Sequence, residues 1–287
     1  MTLSLNNLTF IIVTFKSDHI INECIKSLPK DSNIIIIENS NNRELKKKLE
    51  VKYSKINVIT QENSGMGSAN NKGIKLCKTD YAFIINPDVK FYKDTLDELI
   101  SFSLSTNDYS ILAPISDDLD YPNYKIKKKD IINSELDFLS VDTVDGFAML
   151  INKDKFKDNI YFDENFFLFL ENDDLCLRKK KENKKIYVAK KAKINHLGGK
   201  STSITHEKEI ELSRNWHWMW SKFYFNKKHY GYLKAFSLTF LTLLSSIARI
   251  FYYIVTFNEY KKKIYTMRFL GLINSMTAKK SWYRPKV

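Results

Sequence analysis

The chain has 287 residues, 44% of them hydrophobic, which excludes wholesale disorder and allows one large domain or two small ones. A formal net charge of +13 is compatible with nucleic acid, an anionic membrane or a diphosphate as partner, and equally with a solvated lysine-rich surface. The three cysteines lack zinc-site spacing and predict reduced core thiols in a cytosolic protein, and the polar N-terminus predicts no export signal.

The first part of the chain alternates apolar, strand-like runs with helical patterns. Residues 8–15 and 33–37 are β-branched runs with the length of buried strands, and Ser17 and Asp18 are predicted to cap the helix between them. The other predicted elements are helices over 42–51 and 93–103, strands over 56–60, 81–85 and 111–114, and a Gly/Asn loop from residue 63 that opens a helix. This alternation predicts an α/β fold with a doubly wound, mostly parallel sheet.

The pattern weakens over residues 116–142, which predicts an irregular insertion with one strand or hairpin. A strand over 144–151 follows, and then a helix from Glu171 whose acidic start and basic end suit the helix dipole. A late strand over 186–189 and a loop over 196–201 complete this part. Because the chain then becomes helical, aromatic and basic, we expect a catalytic or binding domain over 1–205 and a helical extension over 206–287.

Residues 235–257 are almost wholly apolar, with Arg249 as the single charge and lysines on both sides. Their length suits a bilayer span, although a central arginine costs about 2.5 to 3.5 kcal/mol on an insertion scale. A buried or dimer-forming helix and an interfacial helix on anionic headgroups are the alternatives. The lysine flanks favour association with a membrane surface.

The apolar run over 81–85 ends in Asn86-Pro87-Asp88. This order places a carboxylate at the carboxyl end of a buried strand, where open α/β sheets bind ligands, although an ordinary turn has the same sequence. The loop with Gly65 and Gly67 follows the third strand, and Asn70 occupies the last glycine position of a dinucleotide fingerprint. A hydride-transfer enzyme is therefore disfavoured.

Read in order, these motifs resemble those of a family 2 glycosyltransferase of the GT-A fold, close to the rhamnosyltransferase-like branch. The resemblance runs from Phe10 to about Ser203, roughly two thirds of the chain. It includes Glu38-Asn39-Ser40, the Asn63 to Gly73 loop, Asn86-Pro87-Asp88, Asp145-Gly146-Phe147, Phe162-Asp163-Glu164, the acidic helix from Glu171, and the segment that begins with His196.

The resemblance implies that the strand ends and the glycine loop bind the nucleotide-sugar donor. Glu38 occupies the family's acidic position after the second strand, although it could equally cap the strand end, and Asn39 could serve only in a turn. The implied donor-binding residues are Thr14, Ser17, Glu38, Asn39, Asn63, Gly65, Asn70 and Asn86.

The resemblance also implies a Mg²⁺ or Mn²⁺ site. Asp88 would hold the cation, which neutralises the charge that develops on the leaving diphosphate. Asn86 stands where the family often has a first aspartate, so it offers an oxygen without a charge. His196 matches a family histidine that completes the metal shell or contacts the diphosphate; a plain surface role is the alternative.

An inverting transfer needs a general base, which the family supplies from an acidic pair at the start of the Glu171 helix. Asn172 departs from that pattern, so we expect Glu171 or Asp173 to be catalytic; Glu171 and Asp174 share a helix face. Asp145 and Gly146 would face the acceptor. Arg178 is left open between pairing with the acidic cluster, binding phosphate and having no function.

We therefore expect an inverting glycosyltransferase at the inner face of the cytoplasmic membrane. It would transfer a sugar from a UDP- or dTDP-sugar, with dTDP-rhamnose as a candidate, to a cell-surface glycan or lipid-linked acceptor. The alternative is a non-catalytic nucleotide-sugar-binding or membrane scaffold, which Asn86 and Asn172 motivate. Nucleic acid is not expected as a partner, because the aromatic run from Trp216 contains no recognisable reading motif. A homo-oligomer is left open.

Overall fold

The computed structural model describes residues 2–106, 108–118, 120–126, 137–198 and 206–285. The chain divides into two compact units: unit 1 comprises Met1–Asp163 and Asn172–Ser203, and unit 2 comprises Glu164–Glu171 and Ile204–Val287. The proposed division at residue 205 places residues 164–171 with the first part of the chain, whereas their contacts group them with the C-terminal helices.

Unit 1 is built around a nine-stranded sheet, counted over the described residues. The strands are β1 (Leu8–Thr14), β2 (Asn33–Glu38), β3 (Ile56–Thr60), β4 (Tyr81–Ile85), β5 (Val89–Phe91), β6 (Ile111–Ser116), β7 (Tyr124–Lys125), β8 (Phe138–Ser140), β9 (Thr143–Val144), β10 (Ala148–Asn152) and β11 (Ile186–His196). The main order is β3-β2-β1-β4-β10-β6-β11-β5, β8 pairs with β11, and β7 and β9 form a separate pair.

Helices cover the sheet of unit 1: α1 (Ile21–Ser27), α2 (Arg43–Lys52), α3 (Met66–Leu76), α4 (Thr95–Ser105) and α5 (Glu171–Lys181), which begins on the last residue of the unit 2 segment. Alternate residues of β1 enter two separate hydrophobic clusters, one with Phe10 and Ile12 and the other with Ile11 and Val13. The strand is therefore buried on both faces, which explains its continuous apolar run.

The predicted parallel sheet is present in the first part of the chain, where β1 pairs in parallel with β2 and β4. The second part is mixed, because β10 runs antiparallel to both β4 and β6. The single strand expected over 144–151 is interrupted at Asp145, and the late strand extends to His196 with an irregularity between Ala189 and Lys193. Part of the expected insertion, residues 127–136, lies outside the described residues.

Two local predictions had different outcomes. The predicted side-chain cap of α1 is wrong: Ile20 is the N-cap residue, and the Ser17 hydroxyl bonds to the backbone of Phe15 instead. The prediction of core thiols is confirmed, since all three cysteines are buried and free. Burial raises the pKa of the Cys176 thiol to about 12 and keeps it protonated.

Unit 2 contains three consecutive helices, α6 (Glu207–Tyr230), α7 (Tyr232–Val255) and α8 (Glu259–Met276). Gly231 joins the first two with a φ of 85°, a conformation that favours glycine. The C-terminal residues pack on α6, where the Trp220 indole donates a hydrogen bond to the Lys279 carbonyl at 3.0 Å. Trp216 and Trp220 are buried, so these two aromatic residues serve packing within this unit.

Candidate functional site

The candidate site lies at the carboxyl edge of the β1–β4 pair. Because these strands are parallel, with Ile12 opposite Ile85, the end of β1 at Thr14 lies beside the turn that follows β4. The Asn86 N–H donates to the Phe147 carbonyl at 2.9 Å, which brings the Asp145-Gly146-Phe147 segment to the same edge. The structure thus brings together motifs that are far apart in the chain.

Four side-chain oxygens of the predicted donor- and metal-binding residues are buried and have no hydrogen-bond partner among the described residues. They are Thr14 Oγ1, Asn70 Oδ1, Asn86 Oδ1 and Asp88 Oδ1. Leaving a buried polar atom unpaired costs about 1 to 3 kcal/mol, and such atoms in folded proteins need a reason. A polar ligand or a cation that they contact would supply that reason.

Asp88 and His196, the two predicted metal residues, are adjacent. Asp88 Oδ1 lies 3.5 Å from His196 Nε2, and the Leu197 N–H donates to the Asp88 carbonyl at 3.2 Å. The His196 ring stacks on Phe147 with centroids 3.9 Å apart, which orients the imidazole. A His-Asp pair with the nearby Asn86 oxygen offers donor types that suit Mn²⁺ or Mg²⁺.

The described residues contain no group of three or more His, Cys, Asp or Glu side chains that could hold a metal ion. A cation at Asp88 would therefore need oxygens from outside the protein to complete its coordination, and the diphosphate of a bound nucleotide is a donor of that chemistry. The residues present fit such a shared site.

Glu38 is fully buried and its carboxylate organises the turn after β2. It accepts hydrogen bonds from the Ser40 N–H at 3.0 Å, the Ser40 hydroxyl at 2.5 Å and the Asn42 N–H at 2.5 Å. The strand-end cap that the sequence left open is therefore present in the structure. Direct contact of Glu38 with the donor stays a prediction.

Asn39 ties the end of β1 to the glycine loop. Its backbone N–H donates to the Thr14 carbonyl at 2.8 Å, and its side-chain amide donates to the Gly65 carbonyl at 3.3 Å. Gly65 has a φ of 91°, which favours glycine, and its N–H donates to Asn63 Oδ1 at 3.1 Å. These contacts fix the backbone from which α3 begins. Donor binding by Asn39, Asn63 and Gly65 stays a prediction.

A second set of charged and polar side chains includes Asp145, Asp173, Lys125 and Tyr121. Lys125 Nζ lies 3.3 Å from Asp173 Oδ1. Burial raises the pKa of Asp145; the Asp173 charge adds to that rise, whereas the Lys125 charge opposes it. The charge of Asp145 raises the pKa of Tyr121. Two carboxylates and one lysine thus form one charged set.

Asn172 and Asp174, near the start of α5, make structural contacts. The Asn172 amide donates to the Val144 carbonyl at 2.9 Å. Asp174 is fully buried and accepts from Arg178 Nε at 2.9 Å, and Arg178 also donates to the Tyr161 carbonyl. The open question on Arg178 is thus answered by its pairing with Asp174. Within unit 1, Asp173 is the carboxylate of α5 that is partly exposed. Glu171 is buried and belongs to unit 2.

Sequence reasoning missed Tyr121 and Lys125, because they come from the insertion whose pattern was weak. The stacking of Phe147 on His196 was also not predicted, although an aromatic residue directly after Asp145-Gly146 could have indicated a role at the site. Gly146 is not required by packing, since an added Cβ would meet Asn172 at an ordinary contact distance of 3.5 Å. The acceptor roles of Asp145 and Gly146 stay predictions.

Comparison with known proteins gives a consistent picture. Residues 9–160, more than half of the chain, match the family model described as Glycosyl transferase family 2. A relative from Haloferax volcanii, the low-salt glycan biosynthesis hexosyltransferase Agl10, is 25% identical over 197 residues. The match covers 62% of this chain and 63% of the relative, so the chain spans less than two thirds of that protein's length.

Solved structures share the fold at low identity. The mannosyltransferase PcManGT from Pyrobaculum calidifontis, in complex with GDP-Man and Mn²⁺, has a TM-score of 0.57 at 9% identity, covering 96% of this chain and 88% of its own. GalNAc-T7 with UDP, GalNAc and Mn²⁺ has a TM-score of 0.55 at 14% identity, covering 74% and 51%. Residues 1–349 of S. aureus TarS have a TM-score of 0.52 at 15% identity, covering 97% and 93%.

Proposed function

Because this chain belongs to glycosyl transferase family 2 and has a GT-A-like fold, we propose that it is an inverting glycosyltransferase. Its donor is a nucleotide-diphosphate sugar and its acceptor is a glycan or a lipid-linked saccharide. The relative that makes a glycan as a hexosyltransferase supports hexosyl transfer. UDP-, dTDP- and GDP-sugars are the donors to test, with dTDP-rhamnose among them.

The observation that carries this proposal is the set of buried oxygens on Thr14, Asn70, Asn86 and Asp88 that have no hydrogen-bond partner among the described residues. These atoms come from β1, α3 and the turn after β4, which are separate elements of unit 1. A donor with a cation would give them partners and recover the cost of leaving them unpaired. Asp88 and His196 would hold Mn²⁺ or Mg²⁺, which supplies charge neutralisation for the leaving diphosphate.

The base that accepts the acceptor's proton is proposed to be Asp173, with Glu171 as the competing candidate. Asn172 carries no proton-accepting group, and the Asp174 carboxylate is engaged by Arg178. Asp173 lies in the same charged set as Asp145, so a proton taken up there stays close to a second carboxylate. Asp145 and Gly146 are proposed to face the acceptor.

The test is nucleotide release by the purified full chain with the donor panel, an acceptor panel, and Mn²⁺ or Mg²⁺. Asp88→Asn should lower kcat/KM by about 100-fold, a typical loss for one group that stabilises transition-state charge. Asp97→Asn, an exposed carboxylate on α4, is the control and should leave turnover unchanged. Undiminished turnover in Asp88→Asn would contradict the metal assignment.

Two further variants separate the base candidates. Asp173→Asn should reduce kcat by about 100-fold or more while donor binding persists, as expected when a general base is removed. Glu171→Gln should have the smaller effect. The reverse order would assign the base to Glu171.

A scaffold that binds a nucleotide sugar without transferring it is the second candidate. Asn86 and Asn172 favour the scaffold, because each stands at a position where the family that the sequence resembles commonly has an acidic residue. A thermal shift with donor and Mn²⁺, together with no nucleotide release across the acceptor panel, would support the scaffold. We place either protein at the inner face of the cytoplasmic membrane, where nucleotide sugars and lipid-linked acceptors meet.

A further inference from the structure

Helix α7 in unit 2 has its amphipathic pattern inverted relative to a helix of a water-soluble bundle. Its three buried residues are Ala235, Thr239 and Ser246, which are small or polar. Most of its exposed residues are large and apolar; Leu233 is 84% exposed, Leu241 77% and Val255 75%. A surface helix in water normally shows the opposite arrangement.

The two sets lie on opposite faces of α7. Successive residues in a helix rotate by about 100°, so residues spaced by three, four, seven or eight share a face. This rule groups the exposed residues Leu233, Leu241, Leu244, Phe251 and Val255 in one stripe, which we call the apolar stripe. It places Ala235, Thr239 and Ser246 on the far side.

The polar residues on the buried side of α7 are satisfied within the helix. The Thr239 hydroxyl donates to the Ala235 carbonyl at 2.8 Å, and the Ser246 hydroxyl donates to the Thr242 carbonyl at 2.8 Å. Ala235 also packs in a small cluster with Phe223 of α6 and Leu272 of α8. The inward face of α7 is therefore complete, and the apolar stripe is what remains without a partner among the described residues of this unit.

Lysines lie at both ends of the apolar stripe, and the carboxylate of Glu259 near its end is paired with Lys262. Lys234 is exposed in the first turn of α7, and Lys261 and Lys263 are exposed shortly after its end. The helix itself contains no acidic residue. An apolar stripe with lysines at both ends complements the acyl boundary and the anionic headgroups of a bilayer surface.

Contacts between α7 and α8 argue against a bilayer span, although α7 has the length and composition of one, with a mean hydropathy of 1.7. Arg249 of α7 donates to the Tyr265 hydroxyl of α8, and Arg268 of α8 lies 5.4 Å from the same ring. If α7 crossed the bilayer beside α8, both guanidinium groups would enter the hydrocarbon, which is costly. A helix lying in the plane of the surface leaves Arg249 within reach of headgroups.

We propose that α7 is an in-plane membrane-docking helix, whose apolar stripe enters the interface of an anionic bilayer while Lys234, Lys261 and Lys263 contact the headgroups. This inference rests on unit 2 alone and goes beyond the proposed transfer reaction. Among the three alternatives for residues 235–257, it favours surface association.

The experiment is vesicle flotation of the full chain with phosphatidylcholine alone and with phosphatidylcholine and phosphatidylglycerol in equal parts, at low and high salt. We expect binding to the mixed vesicles, weakened by salt and by removal of the anionic lipid. Leu241→Asp should weaken that binding by about tenfold or more, because it places a charge in the apolar stripe. Leu104→Asp, which changes an exposed leucine of unit 1, should leave binding unchanged.

Three outcomes would overturn the proposal. Equal binding to neutral and anionic vesicles would contradict the proposed contacts between the lysines and anionic headgroups. Retention of the protein in membranes after alkaline carbonate extraction would indicate a span. A dimer that does not bind vesicles and that Leu241→Asp dissociates, seen by sedimentation, would assign the stripe to a second copy. Nucleotide release, measured in parallel without lipid, should be unchanged in Leu241→Asp, so failure of docking is distinct from failure of the proposed function.

Discussion

The two units of this protein leave opposite kinds of surface without a partner. At the sheet edge of unit 1, buried oxygens of Asn86 and Asp88 have no hydrogen-bond partner among the described residues. In unit 2, the two buried hydroxyls of α7, on Thr239 and Ser246, are satisfied by the helix's own backbone, and many of its large apolar side chains are exposed. The first pattern suits a polar, charged ligand, and the second suits an apolar surface. A group that folding leaves unmatched thus indicates the chemistry of the missing partner.

The largest expected effect on stability comes from replacing one glycine in each unit, Gly271 in unit 2 and Gly73 in unit 1. A Cβ at Gly271 would lie 2.1 Å from the Trp216 carbonyl oxygen, a backbone atom, whereas a Cβ at Gly73 would lie 2.4 Å from Ile11 Cγ2, a side-chain methyl group. The Trp216 backbone is held in a helix, whereas the Ile11 methyl group is fixed to Cβ of a buried side chain and can move by a rotation about χ1. Gly271→Ala should cost about 3 kcal/mol of unfolding free energy, and Gly73→Ala about 2 kcal/mol.

Tryptophan fluorescence during urea unfolding checks this prediction for unit 2, because all four tryptophans lie there. Gly271→Ala should lower the fluorescence midpoint. Gly73→Ala should leave it in place and lower the protection of β1 amides against hydrogen exchange. Equal losses in the two variants would mean that the backbone contact at Trp216 relaxes as easily as the methyl contact.

The next effect concerns the turn after β2. Glu38→Gln replaces a carboxylate that accepts three hydrogen bonds from Ser40 and Asn42, and one of its oxygens becomes a donor facing donors. We expect a loss of about 2 kcal/mol in unit 1, measured by hydrogen exchange of β2. Glu44→Gln, which changes an exposed glutamate on α2, is the control. An unchanged exchange rate would mean that the hydrogen bonds of Glu38 do not stabilise the turn, and its role would then be ligand binding alone.

The last effect, which is smallest at neutral pH, is the acid sensitivity of unit 2. Burial lowers the pKa of His217 from 6.5 to about 3; in the neutral ring, Nε2–H donates to the Tyr283 carbonyl and Nδ1 accepts from the Ser281 hydroxyl. Between these values the unfolded chain binds a proton that the folded chain excludes, so stability falls as the pH drops from about 6.5 towards 3.

His217→Gln should make the fluorescence midpoint of unfolding less dependent on pH over this window. His19→Gln, which changes an exposed histidine of unit 1, should retain the slope of the unmodified chain. A slope that persists in His217→Gln would assign the acid sensitivity to other groups.

Much of the fold could be predicted because the burial of a strand is visible in its own short run of apolar residues. The runs that became β1, β2 and β4 are continuous and apolar, since each strand is covered on both faces. The reversal of β10 could not be predicted, because antiparallel and parallel neighbours leave the same apolar pattern in a short buried strand.

The candidate site was predictable in part for a related reason. Asp88 follows a strand, so its place at the sheet edge follows from the sequence. The contribution of Lys125 and Tyr121 could not be foreseen, because the insertion that carries them has no regular period. The engagement of Asp174 by Arg178 also depended on where the Tyr161 segment passes.

The amino-acid sequence by itself determined which runs are buried and which polar residues stand at their ends, because hydrophobic periodicity and turn residues act over a few positions. Only the tertiary structure decided which of those polar groups form hydrogen bonds within the protein, as Glu38 and Asn172 do, and which remain available for a ligand, as Asp88 does. The tertiary structure also decided that the apolar face of α7 points away from α6 and α8. Hydrogen-bond partners and helix facing depend on non-local contacts, which no local pattern encodes.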